Sequence, residues 1–259
     1  MNVIPPAAPD GAIVYPESDG QPMAENTKQL RWIVVLFGNL SALFRDHPEV
    51  FVAADLFWYP QEGHPEVRTA PDGLVVFGRP KGDRSSYRQW EEENLPVTVA
   101  FEVLSPGNTG AEMIDKHGFY EEHGVEEYYI YNPDSNRLHV YLRRGEVLVR
   151  VRQVQGFVSP RLGIRFDLSG EEMVVYGPDG RRFLTFAELE AERERERQQR
   201  QRAEQRAEHA EQRAEHAEQR AEHAEQRAAR LAELSRKARL QQATAQELQE
   251  LEGLESGQG

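Results

Sequence analysis

The chain has 259 residues, a formal net charge of −13 and no cysteine. These values exclude thiolate metal sites, disulfides and thiol nucleophiles, and they argue against a broad basic surface for sequence-independent nucleic-acid binding. No apolar run approaches the ~20 residues of a membrane span, and the start lacks the charged-then-apolar pattern of a secretion signal, so a soluble cytoplasmic protein is expected.

Composition shifts near residue 185. Before it lie nearly all the Trp, Tyr, Phe, Val and Ile; after it Ala, Glu, Gln and Arg dominate. The sequence therefore divides into a loose, Pro- and Gly-bearing arm over 1–22, a domain with one core over 23–185, and a non-globular tail over 186–259. Beyond residue 185, 17 acids face 13 Lys and Arg, so most of the excess negative charge belongs to the first two segments.

From Asn26 to Arg45, apolar residues recur at helical spacing (Leu30, Ile33, Val34, Leu36, Phe37, Leu40), and Pro48 follows as a stop signal. Strands are predicted at Val50–Tyr59, with Asp55 inside, at Gly73–Gly78 and at Pro96–Ser105. The stretch between the last two is polar, with Lys81, Arg84, Tyr87, Arg88 and Trp90 interleaved. Ser105 to Thr109 forms a turn into a helix over about Gly110–His123, with Thr109 as N-cap. Another strand is predicted at Glu127–Tyr131. Antiparallel strands follow at Arg137–Arg143, Glu146–Gln153, near Ile164–Leu168 and at Met173–Tyr176. The expected fold class is α+β or α/β, with helices covering a central mixed sheet.

Two acids stand out against this pattern. Asp72 borders the apolar run Gly73-Leu74-Val75-Val76, and Glu102 interrupts Val99-Ala100-Phe101-Glu102-Val103-Leu104. An isolated buried carboxylate costs several kcal/mol, on the order of the desolvation penalty of an ion. Two such acids on neighbouring strands suggest a shared hard cation, and Mg²⁺ takes one or two carboxylates plus waters and substrate phosphate. Lys116 lies on the following helix, sharing a face with Glu112 and Tyr120 at i, i+4 and i+8. The competing account is a Pro-Asp-Gly turn, a strand carboxylate paired with a structural arginine, and an exposed helical lysine.

Glu102-Val-Leu-Ser-Pro-Gly-Asn-Thr, then Lys116, Tyr120 and Gly124-Val-Glu-Glu-Tyr-Tyr-Ile-Tyr-Asn-Pro-Asp134, resemble the Uma-two family of restriction endonucleases, within the PD-(D/E)XK nuclease superfamily. The upstream Ala54-Asp55-Leu-Phe-Trp-Tyr-Pro60 and Gly78-Arg-Pro-Lys-Gly-Asp-Arg84 also match a subgroup. The resemblance spans roughly 20–180. It implies a restriction-endonuclease-like core in which Asp72 and Glu102 bind Mg²⁺ or Mn²⁺. The superfamily's usual lysine, two residues after the second acid, is here Leu104, and Lys116 is the matching residue. Glu25 corresponds to the additional acid that many members place near the first helix, and Asp55 is a weaker candidate. Arg79, Lys81, Arg84 and Arg88 are the candidates for phosphate contact, with Tyr87 or Trp90 for stacking; a solvated loop is the competing account. The implied activity is Mg²⁺-dependent phosphodiester hydrolysis, with DNA as the expected substrate. The alternative is a non-catalytic binding module or scaffold on the same fold.

The tail repeats Gln-Arg-Ala-Glu-His-Ala-Glu every seven residues. With Ala207, Ala214, Ala221 and Ala228 at a, the d positions are Ala203, Ala210, Ala217, Ala224 and Leu231. A period of 3.5 is the coiled-coil signature. Within the repeat, Glu and Arg never stand at i, i+3 or i, i+4. In a parallel pair Arg206 at g would face Glu211 at e of the next heptad. A homodimer with a parallel coiled coil over 203–234 is expected, weakened by its alanine core.

Overall fold

The computed structural model describes residues 13–18, 20 and 22–256, so most of the arm expected over 1–22 lies outside the described residues. The chain divides into two compact units, one up to Leu189 and one from Glu190.

In the first unit, helix α1 (Thr27–Leu43) starts on Asn26, whose side chain accepts from the Gln29 N–H. Strands β1 (Val50–Ala53), β2 (Trp58–Tyr59), β3 (Gly73–Phe77), β4 (Tyr87–Arg88) and β5 (Val99–Val103) follow, then helix α2 (Gly110–Glu122). Strands β6 (Glu127–Asn132), β7 (Arg137–Arg144), β8 (Val147–Arg150), β9 (Arg165–Asp167) and β10 (Val174–Tyr176) complete the unit. Six of these strands make one sheet in the order β1-β3-β5-β6-β7-β8. Only β5 and β6 run parallel within it, because α2 crosses over between them; the other neighbouring pairs are antiparallel, β6–β7 and β7–β8 through hairpins.

Period-2 alternation assigns each strand residue a face. Val75, Val99, Phe101, Val103, Tyr129 and Tyr131 pack with Trp32, Ile33, Leu36 and Leu40 of α1. Leu74, Val76, Ala100, Tyr128 and Ile130 pack on the opposite face with Tyr120 of α2. Glu102 shares parity with Ala100, and Asp72 with Leu74. Both acids therefore belong to the α2 face.

Two local expectations change. The segment Val50–Tyr59 is not one strand: it breaks at Asp55, which adopts φ +49, and splits into β1 and β2. The polar stretch between β3 and β5 is ordered, since β4 pairs in parallel with β2 through Trp58–Tyr87 and Tyr59–Arg88.

The second unit holds the remainder of the 54-residue helix α3 (Phe186–Arg239) and helix α4 (Ala245–Glu255). A capping box on Thr244 and Glu247 starts α4. α4 folds back along α3 through Arg230–Glu250 and Lys237–Glu247, both ion pairs at 2.7–2.8 Å, and Leu234 is buried. Residues 203–229 are exposed, and among the described residues no Glu–Arg ion pair falls within them apart from Glu204 with Arg200. Among the described residues no helix is long and apolar enough to cross a membrane.

Candidate active site

The antiparallel register Gly73–Phe101, extended by one residue, sets Asp72 opposite Glu102 at the ends of β3 and β5. Glu102 is only 4 % exposed, yet both of its oxygens are partnered by α2. Lys116 Nζ donates to Oε2 at 2.8 Å and the Tyr120 hydroxyl donates to Oε1 at 2.6 Å. Helical geometry explains the pairing, because residues four apart share a face. Thr109 fixes the start of that helix by accepting from the Glu112 N–H.

Asp72 Oδ2 accepts from the Val103 N–H at 2.6 Å. Burial first, and the charge of Glu102 second, push its carboxyl up to about 8, although the Val103 N–H and Lys116 pull the other way. Burial opposes the Lys116 ammonium, but Glu102 and then Asp72 outweigh it and hold its pKa above the ordinary lysine value. Tyr120 is pushed well upward, by burial and then by Glu102, so it stays a neutral donor. A raised carboxyl beside a second carboxylate marks a place where negative charge is under-compensated.

A cavity of about 670 Å³ opens onto Asp72 and Lys116 and is lined also by Asp55, Ser105 and Glu112 among others; Glu102 is not among its lining residues. Glu25 lines it as well. Its carboxylate accepts from the Ser105 hydroxyl and, at 3.1 Å, from the Gly107 N–H, so it ties the turn after β5 to the start of α1. Asp55 lies close enough for its charge to act on Asp72. Arg68 and Asn108 line the same cavity; they were not picked out in the sequence, although Arg68-Thr69-Ala70-Pro71 leads straight into Asp72. Gln29, buried at the start of α1, donates to the Val103 carbonyl at 2.9 Å and ties the helix to the site strand.

The basic residues of the 79–88 stretch are not brought to this cavity. Arg79 and Arg84 converge on Glu92 at 2.8 and 2.5 Å, and Arg84 also covers the Phe51 ring. Lys81 Nζ donates to the Phe44 and Arg45 carbonyls at the end of α1. Arg88 lies against Tyr15 and pairs with Glu91 at 3.3 Å. Tyr87 is fully buried and donates to the Leu95 carbonyl, while Trp90 packs on Tyr15.

The oxygen-only donor set suits a hard cation. Among the described residues no group of three or more His, Asp or Glu is gathered to hold a metal unaided. Two carboxylates with waters are what Mg²⁺ uses, whereas structural zinc needs four protein ligands, so the residues present fit Mg²⁺ or Mn²⁺.

The model of the family described as "Uma2: Putative restriction endonuclease" matches residues 9–170, well over half of the chain. Among solved structures, similarity is found to one titled as a putative nuclease belonging to DUF820 from Anabaena variabilis ATCC 29413. It is 14 % identical, covers 58 % of this chain and 78 % of that one, and has a TM-score of 0.41. No functionally curated protein matches the chain.

Proposed function

The chain belongs to the family described as "Uma2: Putative restriction endonuclease", and on that basis we propose that it is a Mg²⁺- or Mn²⁺-dependent endonuclease hydrolysing phosphodiester bonds in DNA. The observation that carries this reading is the facing of Asp72 and Glu102 across neighbouring strands, with Lys116 hydrogen-bonded to Glu102 and the Asp72 carboxyl raised to about 8. Asp72 and Glu102 would hold the cation. When bound, such an ion supplies charge neutralisation at the phosphoryl oxygens and lowers the pKa of a bound water. Lys116 is one helical turn from Glu112, both on the cavity wall, and its ammonium orients an attacking water and offsets charge on the phosphate. Tyr120 holds Glu102 in one rotamer from the buried side. Arg68, at the cavity wall, is placed to meet a phosphate.

The test is nicking of plasmid DNA with Mg²⁺ or Mn²⁺ by the wild type, Asp72→Ala and Glu102→Ala. Metal-dependent cleavage lost in both variants supports the assignment; cleavage that survives both refutes it.

One observation favours a second reading. Both Glu102 oxygens already have donors, so the acids could form a closed ion-pair network in a non-catalytic module that binds nucleic acid. Calorimetric titration separates the two: a closed network takes up no divalent cation.

The same reading includes a cytoplasmic homodimer paired through a parallel coiled coil. Its support is the exposed alanine seam of residues 203–229 and the lack of Glu–Arg i, i+3 or i, i+4 spacings inside the repeat, which leaves those charges for a second chain.

A further inference from the structure

A second cavity, of about 510 Å³, lies on the same sheet face as the acids but on the other flank of α2. Lys116 and Glu112 line the first cavity; Met113, Ile114 and His117 line the second, opposite Arg137, His139 and Tyr141 of β7. The register Glu102–Ile130–His139 places His139 two strands from Glu102, about 10 Å away.

Its charge is unusual for this chain. No Asp or Glu lines the cavity. Arg137 and His139 share a face of β7, and Arg150, paired with Tyr141 on β8, stands beside them on that face. Among the described residues, none of these three side chains makes a hydrogen bond or an ion pair, whereas Arg31, Arg79, Arg84, Arg161, Arg182 and Arg230 are each matched to a glutamate. His139 is held below the ordinary histidine value by burial and then by Arg150 and Arg137, and no carboxylate counters them. In a chain of net charge −13, this face has been left cationic and uncompensated. The apolar side of the groove offers rings and a loose aliphatic edge: His117 meets Tyr141 edge-on at 4.7 Å, and Ile114 is 73 % exposed. Unpaired cations beside aromatic and aliphatic surface suit a phosphate joined to a base.

We propose that this groove binds a nucleotide of the DNA strand flanking the scissile bond, with its phosphate on Arg137 and Arg150 and its base against His117, Tyr141 and Ile114. The assignment rests on the nuclease reading of Asp72 and Glu102, and the ~10 Å offset corresponds to about three base steps of 3.4 Å.

The test is fluorescence anisotropy of the full chain with a fluorescein-labelled DNA oligonucleotide in EDTA over a range of salt, beside cleavage of that oligonucleotide with Mg²⁺. Arg137→Gln with Arg150→Gln should weaken binding about tenfold. It should also reduce the slope of log affinity against log salt by about 0.7, one single-strand phosphate. Both side chains are exposed, so the thermal midpoint should not move, and Ile114→Ser should weaken binding with no change in salt slope. Unchanged affinity and slope in the double variant of a chain that cleaves would overturn the groove and leave the nuclease reading standing. Loss of binding in a chain that cleaves nothing would keep the groove and sink the nuclease. No binding by the wild type overturns the groove. So does displacement of the oligonucleotide by polyglutamate or by a free mononucleotide at equal charge, which would assign an acidic peptide or a small ligand instead.

Discussion

Asp72 is the residue whose protonation most directly links site and stability. An unfolded aspartate titrates near 3.8, while folded Asp72 titrates near 8 because of burial and Glu102. Between those values the folded chain holds a proton that the unfolded chain has lost, so this group's contribution is complete below about pH 4 and declines as pH rises toward 8. Asp72→Asn should therefore flatten the fall in thermal midpoint between pH 5 and 8 and stabilise the chain at pH 8 by several kcal/mol, while abolishing cleavage. Added Mg²⁺ should raise the wild-type midpoint more at pH 8 than at pH 5, since the cation competes with the proton. A midpoint with the same pH slope in wild type and Asp72→Asn would show that the carboxyl is ordinary. Lys116 has the opposite role. Lys116→Met leaves Glu102, 4 % exposed, with Tyr120 alone beside the second acid. Breaking a buried pair from one side costs about 3–5 kcal/mol. Urea unfolding should show a loss in that range, partly restored by Mg²⁺, without return of cleavage. These residue identities were legible because acids in apolar strands are costly enough to need a reason. The partner of Glu102 was legible only as a helical face, since i, i+4 spacing gives direction but not which neighbouring strand the helix lies on.

At the scale of elements, the site depends on the turn between β5 and α2. Glu25 holds that turn through Ser105 and Gly107, and a Cβ added at Gly107 would run into the Glu25 carboxylate. Gly107→Ala and Glu25→Ala should therefore slow cleavage through the same lost clamp. The double variant should be little worse than either single one, a non-additivity a double-mutant cycle would read. Additive losses would instead make Glu25 an independent part of the site, such as the further acid that the family resemblance implies. The elements themselves followed closely from periodicity and caps: Asn26 and Thr109 start α1 and α2 as their side chains allow. Two features escaped. The break at Asp55 needs a left-handed backbone at a non-glycine residue, for which Asp is permissive but not diagnostic. The β2–β4 pair rests on two residues from each strand, 29 apart in sequence, too short to leave an alternating pattern. Its consequence for the site is large, because the ordered stretch matches Arg79 and Arg84 to Glu92 and so holds them away from the cavity.

For the whole molecule, the question is what an exposed helix of alanine, glutamate and arginine is for. Its heptads lack internal Glu–Arg spacings, so an isolated helix gains little from its own charges, yet between parallel chains Arg206, Arg213 and Arg220 at g meet Glu211, Glu218 and Glu225 at e. Of the leucines near the end, Leu234 is buried where α4 turns back on α3, while Leu240 and Leu248 stay exposed. That fold-back left no trace in the heptad pattern because it depends on the Thr244–Glu247 capping box, a signal that starts a helix without fixing its direction. The burden of association then falls on alanine contacts and charge pairs, each exposed pair being worth roughly 0.2–1 kcal/mol. Sedimentation should show a dimer for the full chain and a monomer for a chain ending at Leu189. Glu211→Arg with Glu218→Arg should weaken self-association about tenfold or more, as should Arg206→Glu with Arg213→Glu, and an equimolar mixture of the two variants should pair again. Recovery in the mixture, suppressed by high salt, requires Arg at g to face Glu at e across two chains. Variants that sediment like wild type would show that the seam joins nothing.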